Sequence, residues 1–257
     1  MQTNEGEAAH RTLRGEEESS GSGMSSSSWR PADGQPFIPR VKICCIASVR
    51  EAWLAIHAGA SALGFVSKMP SGPGPIEESL IAAIVAEIPP GIATFLLTCE
   101  TTAAPIVDQQ RRTGANTLQL VDAVEDGTYR QLRDSLPGIG IVQVIHVAGE
   151  ESVDEAMRVA PHVDAILLDS GNPKLSIKQL GGTGRVHNWD VSRAICDVSP
   201  VPIYLAGGLN GENASLALSQ VGPFALDVCS GVRTDGQLDV AKLTHFMSAV
   251  RGHAQPS

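Results

Sequence analysis

From Val41 to Arg251 the chain alternates eight times between a short run rich in Val, Ile, Leu and Ala and a stretch with helical periodicity. Strands are predicted near Val41–Ala47, Ala62–Ser67, Ala93–Thr98, Thr117–Val121, Gly140–Val147, Ala165–Asp169, Pro202–Ala206 and Ala225–Cys229. The intervening helices fall near Val49–Ala58, Ile76–Ile88, Thr102–Thr113, Thr128–Ser135, Glu151–Ala160, Asp190–Val198, Glu212–Gln220 and Val240–Arg251. Several strands are almost continuously apolar, as expected of parallel strands covered on both faces. Ser48 and Glu51 read as a capping box opening the first helix, and Gly59 as its left-handed exit. Eight strand–helix units in about 210 residues fit an α/β fold of the (β/α)₈ TIM-barrel type, near its short limit. A doubly wound open sheet would have fewer units and a GxGxxG turn after its first strand, which this chain lacks.

Residues 1–36 have another character: Ser, Gly and Glu dominate, with the runs Glu16-Glu17-Glu18 and Ser25 to Ser28 and one aromatic, Trp29. Such a segment buries too little to offset its ordering entropy, so a disordered N-terminal extension is expected before a barrel domain at 37–257. Met24 lies within it as a second candidate start. The barrel region supplies the core, since 42% of the whole chain is apolar and 18% charged. A formal net charge of -9 argues against nucleic acid or an anionic membrane as partner. It leaves room for an anionic small molecule held by backbone N–H groups. The five cysteines are odd in number and have no CxxC spacing, which suits neither a disulfide framework nor a zinc site. With no membrane-length apolar run and no signal-like N-terminus, a cytoplasmic location is expected.

In such a barrel, chemistry sits where strands end and loops begin. Three glycine-rich segments fall there: Gly181-Gly182-Thr183-Gly184, Ala206-Gly207-Gly208-Leu209-Asn210 and Ser230-Gly231-Val232. Their convergence predicts a phosphate cradle built from Gly182, Gly184, Gly207, Gly208, Ser230 and Gly231, because glycine lets the backbone approach an anion. Alternation along the first strand puts Lys42 and Cys44 on one face and Cys45 on the other. With both facing the axis, Lys42 would favour the Cys44 thiolate and make it a usable general base. The bland alternative, a thiol that only fills the core, stays open at this point. Strand six ends in Asp169, three strands around the ring from Cys44, so the two could flank a substrate as acid and base. His146 and Asp227 are read as core or loop-orienting residues, and a Cys44–Cys45 redox pair has no other support.

Taken together, Lys42-Ile43-Cys44, Ala62-Leu63-Gly64-Phe65-Val66, Leu167-Leu168-Asp169-Ser170, the three glycine segments and Asp227-Val228-Cys229 resemble the phosphoribosylanthranilate isomerases across residues 41–251. The resemblance implies an Amadori rearrangement of a phosphorylated sugar derivative in tryptophan synthesis, with no metal or organic cofactor, by a monomer or homodimer. It places the general base on Cys44 and the general acid on Asp169. Three departures stand out. Cys45 replaces a glycine and is expected to need extra room on the helix-facing side. Met69-Pro70-Ser71-Gly72-Pro73-Gly74-Pro75 lacks the arginine that engages the anthranilate carboxylate, leaving Lys68 or Arg233 as substitutes. Gln119-Leu120-Val121-Asp122 lacks the family's histidine. The alternatives are a related barrel isomerase for another phosphosugar and a non-catalytic barrel that binds phosphate ligands.

Overall fold

A computed structural model describes residues 29–30, 37–171 and 187–253. Eight parallel strands close into a barrel in the order in which they occur along the chain. They are β1 (Arg40–Ile43), β2 (Ala62–Val66), β3 (Ala93–Thr98), β4 (Thr117–Leu120), β5 (Gly140–His146), β6 (Ala165–Asp169), β7 (Ile203–Leu205) and β8 (Ala225–Val228). Each is followed by a helix: α1 (Val49–Ala58), α2 (Glu78–Val85), α3 (Ala103–Thr113), α4 (Thr128–Ser135), α5 (Glu151–Val159), α6 (Trp189–Val198), α7 (Ala214–Val221) and α8 (Val240–His253). The ring closes where β1 pairs with β8, setting Lys42 beside Asp227.

Strand alternation builds two apolar layers. Ile43, Leu63, Phe65, Leu96, Leu118, Ile166 and Leu226 point outward and are completely buried beneath the helices, with Ile81 and Ile106 opposing them. Full burial of each such side chain contributes roughly 1.5–3 kcal/mol, which fixes strand register and hence the inward set. That inward set includes Ala62, Val66, Phe95, Leu97, Val142, Val144, Ala165 and Leu167. It fills the barrel floor and leaves the reactive groups at the C-terminal rim.

The local signals behave as their chemistry requires. Ser48 Oγ accepts a hydrogen bond from Glu51 N at 3.1 Å, and Gly59 exits α1 at φ 104°. β1, however, stops at Ile43 rather than at Ala47, because Cys45 takes a left-handed φ of 62° and breaks the alternation. A two-residue hairpin, β9 (Arg233–Thr234) with β10 (Gln237–Leu238), was not foreseen. Of residues 1–36, expected to be disordered, Trp29 and Arg30 are described. The indole Nε1 of Trp29 donates to Ser199 O at 3.1 Å, and Arg30 pairs with Asp197 at 3.1 Å. The expectation for the rest of that segment lies outside the described residues.

Candidate active site

A pocket of about 720 Å³ of empty space, open to solvent, lies at the C-terminal rim. Cys44, Asp169, Gly207, Gly208 and Ser230 all line it, so the expected base, acid and two phosphate loops share one cavity.

Beneath Cys44 lies a buried ion pair. Lys42 Nζ donates to Asp227 Oδ1 at 2.8 Å, with the two side chains 0% and 7% exposed. Burial works against the Lys42 charge, but the Asp227 carboxylate and the Cys44 sulfur outweigh it and raise its pKa well above the ordinary lysine value. Burial raises the Asp227 carboxyl against the pull of Lys42. The expectation that Asp227 serves only the core or a loop therefore needs correcting: it lines the pocket and anchors the cation. Gly64 makes this packing possible, since a Cβ there would sit 2.8 Å from Cys44 Sγ and 3.0 Å from Lys42 Nζ.

Cys44 is 6% exposed, and its thiol is held below the ordinary cysteine value. The largest cause is a hydrogen bond from Cys45; burial opposes it, and the charge of Lys42 adds to it. The ammonium contribution was anticipated; the neighbouring thiol was not. Cys45 does not turn toward the helices as strand alternation suggested. Its left-handed backbone swings the side chain into the pocket, where Sγ lies 2.7 Å from Cys229 Sγ and 3.6 Å from Pro73 O. Gly74, at φ 87°, gives way to it, because a Cβ there would come within 2.7 Å of Cys45 Cβ.

Arg233 holds this turn from behind. Its Nη2 donates to Cys44 O at 3.0 Å and Cys45 O at 2.6 Å, while Nη1 meets Glu51 Oε1 at 2.9 Å. Burial works against its charge, but Glu51 outweighs it and the guanidinium stays protonated. With both Nη atoms engaged and the side chain only 8% exposed, Arg233 does not reach the pocket as a substitute for the missing carboxylate-binding arginine. Lys68 remains: it is exposed at the exit of β2, next to the pocket-lining Met69.

Asp169 ends β6, is 8% exposed, and accepts a hydrogen bond from Ser170 N at 2.7 Å through Oδ1. His187 lies within its electrostatic reach. Burial lowers the His187 pKa and the Asp169 carboxylate partly offsets this, while Nε2 meets Ser192 Oγ at 2.7 Å. His146 sits on β5 in register with Asp169, but its Nε2 is spent on Val121 O at 2.9 Å.

The expected anion side comprises two loops. Gly207 and Gly208 take φ of 85° and 65°, conformations that glycine adopts without strain, and Asn213 Nδ2 ties the Gly208 carbonyl back at 3.0 Å. Gly231 does not line the pocket. It lets the loop after β8 press against the Leu209 carbonyl, which brings Ser230 beside Gly207 and Gly208. Gly182 and Gly184 lie outside the described residues. A further pocket residue not singled out from the sequence is Gln119, 4% exposed, whose Oε1 is buried without a hydrogen-bond partner among the described residues. Its inward position on β4 was legible, but an unmet acceptor shows only in three dimensions.

Comparison with known proteins agrees with this geometry. A family model for N-(5'phosphoribosyl)anthranilate (PRA) isomerase matches residues 41–249. The N-(5'-phosphoribosyl)anthranilate isomerase of Halobacterium salinarum is 34% identical over 222 residues, covering 85% of this chain and 98% of the relative. That of Nostoc punctiforme is 35% identical over 208 residues, covering 80% and 95%. Among solved structures, phosphoribosyl anthranilate isomerase from Thermotoga maritima superposes with a TM-score of 0.71 at 28% identity, covering 83% of this chain and 99% of that one. A phosphoribosyl anthranilate isomerase in complex with reduced 1-(o-carboxyphenylamino)-1-deoxyribulose 5-phosphate gives 0.68 at 26%, with the same coverage. The chain belongs to the N-(5'-phosphoribosyl)anthranilate isomerase family.

Proposed function

We propose that this pocket converts N-(5'-phosphoribosyl)anthranilate to the carboxyphenylamino-deoxyribulose phosphate of tryptophan synthesis, with Asp169 as general acid and Cys44 as general base. The observation that carries the reading is that Cys44 and Asp169 line one cavity with Gly207, Gly208 and Ser230. With the phosphate on the glycine loops, Asp169 gives its proton to the ribose ring oxygen. The C1–O bond breaks as the amine nitrogen's lone pair forms the C=N bond of a protonated Schiff base. The Cys44 thiolate then removes the proton from C2, and those electrons neutralise the iminium nitrogen to give an enolamine, which tautomerises to the ketone. Each transfer needs one poised donor or acceptor and supplies on the order of 10²–10⁴ in rate. A thiol held below its ordinary pKa supplies more thiolate for the second step.

In this reading Lys68 meets the carboxylate of the aromatic acid, and the Gln119 Oε1 accepts a donor from the bound sugar. The enzyme works in the cytoplasm as a monomer or homodimer. Among the described residues no helix is long and apolar enough to cross a membrane.

The test follows the loss of anthranilate-type fluorescence with freshly made phosphoribosylanthranilate, for the wild type and for Cys44→Ala and Asp169→Asn. Turnover abolished by both changes is expected. Absence of wild-type turnover would sink the reading, and a melting temperature raised by another phosphate ester would then point to a different phosphosugar.

A further inference from the structure

We propose that Cys45 and Cys229 are a thiol-modification site: on exposure to a peroxide they form a reversible disulfide across the β1–β8 seam, which slows the base beside it. The inference goes beyond the isomerase reading, and the bond itself can be tested without substrate.

Three observations carry it. The two sulfurs are in contact, 2.7 Å apart, although the residues are 184 positions apart in sequence. Both thiols line the solvent-open pocket, so a small oxidant that enters with the substrate reaches them. Cys45 also holds a left-handed φ of 62°, a conformation that costs a non-glycine residue, and neighbouring structure is arranged to keep it there. Arg233 clamps its carbonyl, and the absence of a side chain at Gly74 leaves space for its Cβ and Sγ. A thiol kept at a strained position, against a second thiol from far along the chain, is a poor way to fill space. Cys196 lacks this setting. It is completely buried, and burial pushes its thiol up to about 12.

The chemistry balances with hydrogen peroxide as oxidant. Cys229 is the more exposed of the two and reacts first. Its thiolate sulfur attacks one peroxide oxygen, the O–O bond breaks, and hydroxide leaves and is protonated to water. The resulting sulfenic acid is then attacked by Cys45 sulfur; the S–O bond breaks, the S–S bond forms, and a second water carries off the Cys45 proton. Two thiols and one peroxide give one disulfide and two waters, and a dithiol reductant reverses the bond by exchange.

The consequence falls on Cys44. Arg233 Nη2 holds the carbonyls of both Cys44 and Cys45, so drawing Cys45 Sγ from its contact with Cys229 into a covalent bond moves the turn that places the Cys44 thiol, and the proton by which Cys45 helps keep that thiol low is lost. Once Cys45 is in a disulfide it has no proton to donate. The Cys44 thiol then rises toward its ordinary value and less thiolate is present near neutrality.

The experiment uses the reduced full chain, treated with a small excess of hydrogen peroxide, alkylated, digested and mapped by fragmentation mass spectrometry. Expected is a cross-linked peptide pair joining Cys45 to Cys229, absent in Cys229→Ser, present in Cys44→Ser, and lost on treatment with dithiothreitol. The oxidised enzyme is expected to lose roughly tenfold in rate at neutral pH, as for a weakened general base, and to regain it on reduction. Cys229 linked to Cys44 instead, or both thiols alkylated or overoxidised without a link, would overturn the proposal. A link that forms with the rate unchanged would overturn its regulatory part. Should Cys229→Ser fail to fold, the wild-type fragmentation pattern alone decides the bonding. Because linkage is read by mass, a failed isomerase assay leaves the linkage result standing.

Discussion

Replacing Asp227 with Asn leaves a buried ammonium without its counter-ion, and the size of the damage can be worked from the geometry. Lys42 Nζ and Asp227 Oδ1 are 2.8 Å apart, with the lysine side chain 0% exposed and the aspartate 7%. At an effective dielectric near 20, opposite charges at that separation attract by about 6 kcal/mol. Part of this is already offset by desolvation of the two groups, so the expected loss on removing one partner is roughly 3–5 kcal/mol. For a domain of this size each kcal/mol shifts the melting midpoint by about 2–4 °C, giving a fall of roughly 6–20 °C. The assay is thermal unfolding followed by circular dichroism at neutral pH. A second variant, Lys42→Met combined with Asp227→Leu, removes both charges and fills similar volume, and is expected to recover most of the lost stability. An Asp227→Asn protein melting within about 2 °C of wild type would refute the claim that this pair is buried and mutually dependent. A double variant as unstable as the single one would show that the penalty comes from packing and not from the stranded charge.

The remaining predictions concern the rim. Gly64→Ala drives a methyl into Cys44 Sγ and Lys42 Nζ, so steady-state kinetics should show kcat down by about 10²-fold, as for a 1 Å misplacement, with circular dichroism retained. Cys45→Gly relieves the left-handed strain and should raise stability in denaturant melts by about 1 kcal/mol. The same variant removes the donor that lowers the Cys44 thiol, so the acid limb of kcat/KM should move to higher pH; no movement would mean that Lys42 alone sets the thiolate. Lys68→Ala should raise KM about tenfold or more with kcat little changed, the signature of lost uniform binding, and an unchanged KM would remove Lys68 from the site.

The parts of the fold and site readable from sequence are those set by short-range pattern. Eight periodic units imply the barrel, and Asp169 at the end of β6 follows from where an apolar run stops. Gly207 and Gly208 are legible because two adjacent glycines after a strand have few other uses. Cys45 was misplaced because alternation assumes a continuing strand, and a left-handed φ at a non-glycine residue has no local signal. Arg233 looked available because its commitments to Glu51, Cys44 and Cys45 come from distant segments. The Lys42–Asp227 pair was within reach: closing an eight-stranded ring sets β1 against β8, and opposite charges facing inward on both strands should have been matched. Gln119 and His187 depend on what surrounds them, which no spacing encodes.

The seam between β1 and β8 also has a bearing on how the molecule is made. The proposed base emerges early in synthesis, but its companions come last: Asp227 steadies Lys42, Arg233 pins the backbone on either side of the thiol, and Ser230 completes the anion loop. A ribosome-bound chain that has produced seven strands carries every outward-facing contact of β1 with α1 and still has an unpaired lysine, an unclamped turn and half a cradle. With Cys44 as the proposed base, activity is expected to wait on residues 227–233, and fragments that stop short of them should bind phosphate esters poorly and turn over nothing.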